Sequence, residues 1–307
     1  MTEFNCTMCP RKCGVNREQQ RGFCGEFSVF RIARAAPHYW EEPPISGQNG
    51  SGTVFFSGCN LQCIYCQNHD IAVSGIGYTV TSEQLISVFF SLAEQGVHNI
   101  NLVTPSHFSF QLVPVLEQAK KRGLDLPVIW NSGGYDSVDT LNALDGLIDI
   151  YLPDFKYINP QTAKEYSRAE DYPDVAKAAI AEMFRQCGSP VTDPKTGLMH
   201  SGVQVRHLIL PGHAQEARKI LWYLYQQYGN RIGYSIMSQY TPMKHMQNHP
   251  LLSRRITQRE YEHVLQYAVQ IGIQNAFSQE GEAASESFIP EFYSSEAHSD
   301  SIFKELH

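Results

Sequence analysis

The 307-residue chain is 42% hydrophobic and 18% charged, with 16 Phe, 16 Tyr and 3 Trp, a globular composition that excludes a disordered, collagen-like or coiled-coil protein. Its 24 basic and 31 acidic residues leave a net charge of −7 with no long run of one sign, so no field that gathers nucleic acid through its phosphates is expected. No stretch reaches the ~18 apolar residues of a membrane span, and the opening MTEFNCTMCPRKCG lacks an apolar signal core, so the expected setting is the cytoplasm, with no membrane partner.

The first element in chain order is a cysteine-rich segment, residues 1–45. Disulfides are rare in the cytoplasm, and seven of the eight cysteines fall within the first 66 residues, so the crowding reads as metal ligation. Cys6, Cys9, Cys13 and Cys24 form C-x2-C-x3-C-x10-C, four soft ligands in 19 residues with little apolar sequence to fold without a metal. Zinc suits a closed knuckle of four cysteines, whereas three cysteines within eight residues suit an iron-sulfur cluster; the sequence leaves both open. The later Cys187 reads as a small buried hydrophobe.

Beyond residue 50, short apolar runs alternate with helical patterns, the signature of βαβ units. Six strands are expected, starting at Thr53, His98, Pro127, Ile148, Val203 and Ile232. The helices between and after them are Ser82 to Gly96, Gln111 to Gly123, Val138 to Leu144, Ala163 to Gly188, Ala214 to Gly229 and Gln258 to Gly272. In the first of these Leu85, Phe89, Leu92 and Ala93 share one face. Right-handed crossovers turn such units into a doubly wound sheet or a partial barrel over residues 46–275, with ligands at the strand C-termini in either case. Residues 276–307, polar with an aromatic island at Phe288 to Tyr293, read as a tail or lid.

The chemistry centres on FFSGCNLQCIYCQN, where Cys59, Cys63 and Cys66 follow the first expected strand as C-x3-C-x2-C. Three thiolates suit an iron-sulfur cluster, and a four-iron cluster on three cysteines leaves one iron open to an exchangeable ligand. Three unrelated cysteines, or a zinc site completed by His69, are the plainer alternatives.

C-x3-C-x2-C with an aromatic before the last Cys, here Tyr65, resembles the radical S-adenosylmethionine (SAM) enzymes, and GCNLQCIYCQNHD is similar to the cluster loop of the pyruvate formate-lyase activating-enzyme branch, in a form with an extra N-terminal Cys motif. The resemblance implies a partial (β/α)6 TIM-type barrel, an α/β fold with the Cys-rich segment appended. It also implies a four-iron, four-sulfur (4Fe-4S) cluster whose open iron binds SAM, one-electron cleavage to a 5′-deoxyadenosyl radical, and hydrogen abstraction from a substrate. A low-potential electron donor of the flavodoxin or ferredoxin type goes with that chemistry. The substrate is a protein glycyl residue, another peptide or a small metabolite.

Position by position, the resemblance assigns Tyr65 to the adenine surroundings, and Asp154 and Lys156 of DFK and Asn131 of WNSGGYD to SAM contacts, with Gly133 and Gly134 allowing close backbone approach. Tyr240, with Gln239, falls where a ribose contact is expected. One departure stands out. The family's G-G-E run after the second strand is replaced by VTPSHF, so Thr104 and Ser106 are candidates for its hydrogen-bonding role, and His107 reads as a satisfied loop histidine. Arg206 and His207 alternate on one strand, so one of them faces the cavity. His38, Trp40, Glu41 and Glu42 read as a packed segment before the first strand that could line the mouth. The rival reading is a non-catalytic iron-sulfur electron carrier or assembly scaffold.

Overall fold

The computed structural model describes residues 6–73 and 75–278. The expected lid at Phe288 to Tyr293 lies outside them. The chain enters the sheet through β1 (Phe30–His38), turns through α1 (Pro43–Ser46) and returns as β2 (Ser51–Phe56); a short α2 (His69–Val73) and β3 (Tyr78–Val80) follow. Then come α3 (Ser82–Glu94), β4 (Ile100–Val103), α4 (Ser109–Lys121), β5 (Val128–Ser132), α5 (Val138–Asn142) and β6 (Ile150–Pro153). The second half runs α6 (Pro160–Ser167), α7 (Tyr172–Cys187), β7 (Val191–Thr192), β8 (Met199–Leu208), α8 (Ala214–Tyr228), β9 (Gly233–Met237), α9 (Gln258–Ile271) and β10 (Ala276–Ser278).

The sheet order is β10-β9-β8-β6-β5-β4-β2-β1-β3, with β7 paired to β8 off this path. Strands β2, β4, β5, β6, β8, β9 and β10 are parallel, while β1 pairs antiparallel with β2 and β3 with β1. All six expected strands are present, each followed by a helix. Flat, β2 and β9 would stand five strand spacings apart, roughly 24 Å. Yet Phe55 of β2 and Met237 of β9 line one cavity, so the sheet is curled into an open, partial barrel. Ile45 of α1 packs with Ile129, Ile150, Leu152 and Met199 in a small inner core, while the main core lies between the sheet and its helices.

Local chemistry accounts for the boundaries. Thr81 and Gln84 close a capping box on α3, whose Leu85, Phe89 and Leu92 are fully buried while Ala93 is half-buried. Thr257 and Glu260 form the same device on α9. The structure departs from the sequence expectations at three points. The single helix from Ala163 to Gly188 is two helices: Arg168 takes a left-handed φ of 50° and ends α6, and Pro173 is tolerated only in the first turn of a new helix. The cysteine-rich segment is not wholly an appendage, because β1 joins the sheet at Phe30; its alternation is obscured by Arg31 and Arg34 and by a register shift between Ile32 and Arg34. Ala276–Ser278 extend the sheet as β10 rather than opening a tail. No helix among the described residues is long and apolar enough to cross a membrane.

Candidate metal and cofactor site

Strand β2 ends at Phe56, and the loop from Ser57 carries the second cysteine set. Its Cys66 N–H donates to the Cys63 carbonyl at 3.1 Å, closing a tight turn between the last two cysteines. Burial pushes the Cys66 thiol up to about 12, and neighbouring Cys63 and Cys59 add to the rise while Lys156 opposes it; burial and Cys63 raise Cys59 likewise. Thiols raised in this way become thiolates only beside added positive charge, which is what bound iron supplies. Ser167 Oγ donates to Cys63 Sγ at 2.9 Å and Leu61 N–H to Cys59 Sγ at 3.4 Å, hydrogen bonds of the kind that tune cluster sulfurs. Among the described residues no three His, Cys, Asp or Glu side chains are set around a single ion. His69 faces His245 with ring centroids 4.8 Å apart.

Cys63 and Cys66 line a cavity of about 230 Å³ at the C-terminal ends of the strands. Its wall includes Tyr65, Asn131, Asp154, Lys156 and Arg206. Inside it runs a charged chain. Lys156 Nζ donates to Asp154 Oδ2 at 2.5 Å, Arg206 Nε to Asp154 Oδ1 at 3.0 Å, and Arg206 Nη1 to Glu41 Oε2 at 3.1 Å. Asn131 joins it twice, donating to Glu41 Oε1 at 3.1 Å and accepting from Arg206. Burial alone would raise the Asp154 carboxyl, but Lys156 and Arg206 outweigh it and hold it below its ordinary value. Burial likewise opposes the charge on Lys156 and on Arg206, and Asp154 reverses it in both, so the two cations stay protonated.

The expected site residues divide. Tyr65, Asn131, Asp154 and Lys156 line the cavity. Tyr240 does not: it is fully buried, donates to the Leu252 carbonyl at 2.6 Å and packs edge-on against Tyr65, while its neighbour Gln239 reaches the cavity wall. Ser106 is buried on Asp136, away from the cavity. Thr104 sits at a left-handed φ of 58°, its N–H bound to the Asn131 carbonyl at 2.8 Å, and is not in the wall. Of the alternating pair, Arg206 faces the cavity, while His207 is buried with Nδ1 2.8 Å from the Phe155 carbonyl. Gly133 and Gly134 do allow close approach, but of the protein itself: a Cβ at Gly133 would stand 2.7 Å from Leu61 and one at Gly134 2.1 Å from the Asp154 carbonyl. Sequence reasoning underrated Glu41, which the loop after β1 carries into the barrel to meet Asn101 of β4 at 3.2 Å, Asn131 of β5 and Arg206 of β8. A carboxylate in WEEPP carries no local signal of that reach.

The four thiols of the first set gather beside this loop. Cys13 Sγ and Cys24 Sγ lie 3.5 and 3.3 Å from the point a Cβ on Gly22 would occupy. Burial pushes the Cys9 thiol up to about 12, with Cys24, Cys6 and Cys13 adding to the rise.

Residues 53–204 match the Radical SAM superfamily model. Over this stretch, just under half of its length, the chain is similar to radical SAM domains. The matched stretch runs from β2 into β8 and contains the three-cysteine loop and the DFK pair. "Uncharacterized protein MJ0674" of Methanocaldococcus jannaschii is 29% identical over 275 residues, 86% of this chain and 74% of that one. SuiB of Streptococcus suis, solved with its precursor peptide SuiA, superposes at a TM-score of 0.50 with 10% identity over 73% of this chain and 47% of its own, a likeness of fold. A radical SAM methyltransferase from Sphaerobacter thermophilus gives a TM-score of 0.49 with 15% identity over 76% of this chain and 68% of that one. The radical SAM family implies a 4Fe-4S cluster and SAM, and the donor set of Cys59, Cys63 and Cys66 fits the former.

Proposed function

We propose that this chain reductively cleaves SAM at a 4Fe-4S cluster held by Cys59, Cys63 and Cys66 and uses the resulting radical to take a hydrogen atom from a protein or peptide substrate, as a glycyl radical activating enzyme does. The observation that carries this reading is one cavity lined both by the thiols of Cys63 and Cys66 and by paired charges of both signs, Asp154 and Glu41 with Lys156 and Arg206. When bound, the cluster supplies one electron that breaks a sulfonium bond of SAM, giving methionine and a 5′-deoxyadenosyl radical.

The chain's own residues do the rest. SAM carries an ammonium, a carboxylate and a sulfonium, and a wall with carboxylates and cations in alternation can meet each with an opposite charge. Asn131 keeps Glu41 and Arg206 in register, so the wall is preorganised before ligand arrives. Tyr65, held edge-on by Tyr157, Tyr166 and Tyr240, forms a water-excluding side of the cavity. Tyr39 and Trp40 are 54% and 61% exposed, with Trp40 also in the cavity wall, and offer apolar purchase to a peptide at the mouth.

In the same reading Cys6, Cys9, Cys13 and Cys24 hold a second centre, zinc or an iron-sulfur cluster, and a flavodoxin- or ferredoxin-type donor supplies electrons in the cytoplasm. A non-catalytic electron carrier is the second reading, favoured by one observation: neither Thr104 nor Ser106 reaches the cavity to replace the family's G-G-E contact. Electron paramagnetic resonance (EPR) of the reduced, reconstituted protein separates the two. A signal that changes on adding SAM supports cleavage, and one that ignores SAM supports the carrier.

A further inference from the structure

Arg11 stands between Cys9 and Cys13 of the first cysteine set, yet its side chain reaches the second. Its Nε donates to the Asn60 carbonyl at 2.7 Å, and Nη2 to the Ser167 carbonyl at 2.7 Å and the Leu61 carbonyl at 3.4 Å; Nη1 donates to the Arg168 carbonyl. Asn60 and Leu61 lie between Cys59 and Cys63, and Ser167 is the residue whose hydroxyl donates to Cys63. The guanidinium is held over the Phe23 ring, 3.9 Å from its centroid.

Two further ties join the same pieces. The Cys59 N–H donates to the Cys24 carbonyl at 3.1 Å, and Gln62 Nε2 donates to the Phe23 carbonyl at 2.8 Å. At Gly58 the approach is so close that a Cβ would stand 2.5 Å from Glu26 and 2.6 Å from the Cys24 carbonyl. The backbone that presents Arg11 is a tight turn: Lys12 N–H donates to the Cys9 carbonyl at 3.0 Å, with Lys12 at a left-handed φ of 42°. Such a turn in a non-glycine residue persists where its surroundings fix it, and thiols at both its ends closing on one centre would do so.

We infer that Arg11 is a positioning residue for the Cys59–Cys66 loop, and that a metal centre on Cys6, Cys9, Cys13 and Cys24 aims it by closing the Cys9–Cys13 turn. The inference rests on the proposed reading that both cysteine sets hold metal. Its consequence is that occupancy of the first site controls the geometry and potential of the second. A cation beside a cluster loop favours the reduced state, and a fork of donors on four carbonyls fixes the loop's path as a lysine could not.

The test uses the full-length chain, reconstituted anaerobically with iron and sulfide, as wild type, Arg11→Ala, Cys9→Ser and the double variant. Iron and zinc are counted, and the second-site cluster is followed by EPR and by potentiometric titration, its contribution defined as what Cys63→Ala removes. The expected result is that Arg11→Ala keeps the N-terminal metal while the second-site cluster shows an altered EPR line shape and a lower potential. Cys9→Ser loses the N-terminal metal and shows the same alteration, and the double variant goes no further. Unchanged line shape and potential in Arg11→Ala would overturn the inference, as would effects of the two substitutions that add. Should Cys9→Ser not fold, Cys6→Ser, at a half-exposed thiol, takes its place. If SAM leaves the wild-type signal unaltered, the cleavage reading fails while the Arg11 comparison still decides this one.

Discussion

Arg206 Nε stands 3.0 Å from Asp154 Oδ1, tying a cation on β8 to a carboxylate at the end of β6 inside the barrel. Lys156 takes the other oxygen, so one carboxylate answers two cations that are both less than one-fifth exposed. Asp154→Asn would take from Lys156 the carboxylate it bonds and leave Arg206 with Glu41. Breaking a buried pair from one side costs about 3–5 kcal/mol. The variant should lose on the order of 3 kcal/mol in urea unfolding and bind SAM more weakly by equilibrium dialysis. Wild-type stability and affinity would remove Asp154 from the account.

The Ser167 hydroxyl donates to Cys63 Sγ at 2.9 Å. Hydrogen bonds to cluster sulfurs stabilise the more negative, reduced state, so Ser167→Ala should lower the cluster's reduction potential without reducing its iron content. Potentiometric titration checks this. An unchanged potential would place that hydroxyl outside the cluster's influence.

Gly134 adopts a φ of 73°, and a Cβ there would stand 2.1 Å from the Asp154 carbonyl. The left-handed conformation alone costs a non-glycine residue about 1–2 kcal/mol, and the contact is with backbone, which cannot swing aside. Gly134→Ala should therefore destabilise the fold by more than about 2 kcal/mol and weaken SAM binding through the displaced DFK turn. Gly123→Ala, at a left-handed glycine with open space around it, is the control and should cost only the conformational part.

How far the sequence carried this account depends on how local each signal is. The apolar runs of β2, β4, β5, β6, β8 and β9 are buried nearly throughout, and the cysteine spacing lies within eight residues, so both are legible one segment at a time. Strand β1 is hidden in the sequence because its arginines break the alternation, although Arg31 pairs with Glu26 at 3.6 Å and donates to the Gly75 carbonyl at 2.6 Å. The reach of Glu41, the burial of Ser106 on Asp136 and the turn of Tyr240 onto Leu252 depend on how the sheet curls. The work of Arg11 depends likewise on a contact 49 residues away in the chain, which no local pattern announces.

Burial, with Arg17 nearby, depresses His107 to about 3, and burial, with Arg34, depresses His38 to about 4. Above the unfolded value of about 6.5 both states are neutral and neither histidine affects stability. As pH falls below that value the unfolded chain takes up protons that the folded chain refuses, so stability drops, from His38 down to about pH 4 and from His107 down to about pH 3. The loss from His107 is on the order of a few kcal/mol at the acid end. Urea unfolding at pH 7.5 and pH 5 should show a smaller acid-induced loss in His107→Gln than in wild type. Equal losses in the two proteins would mean that His107 protonates as readily folded as unfolded.

The central claim is that three thiols and the charged wall around Asp154 form one SAM-cleaving site. The most direct measurement is chromatography for 5′-deoxyadenosine after anaerobic reconstitution, dithionite reduction and addition of SAM, with wild type and Cys63→Ala in parallel. The account predicts 5′-deoxyadenosine and methionine from wild type and none from Cys63→Ala. A wild-type protein with a full, reducible cluster that yields no 5′-deoxyadenosine with or without candidate peptides, or equal yields from the two proteins, would contradict it.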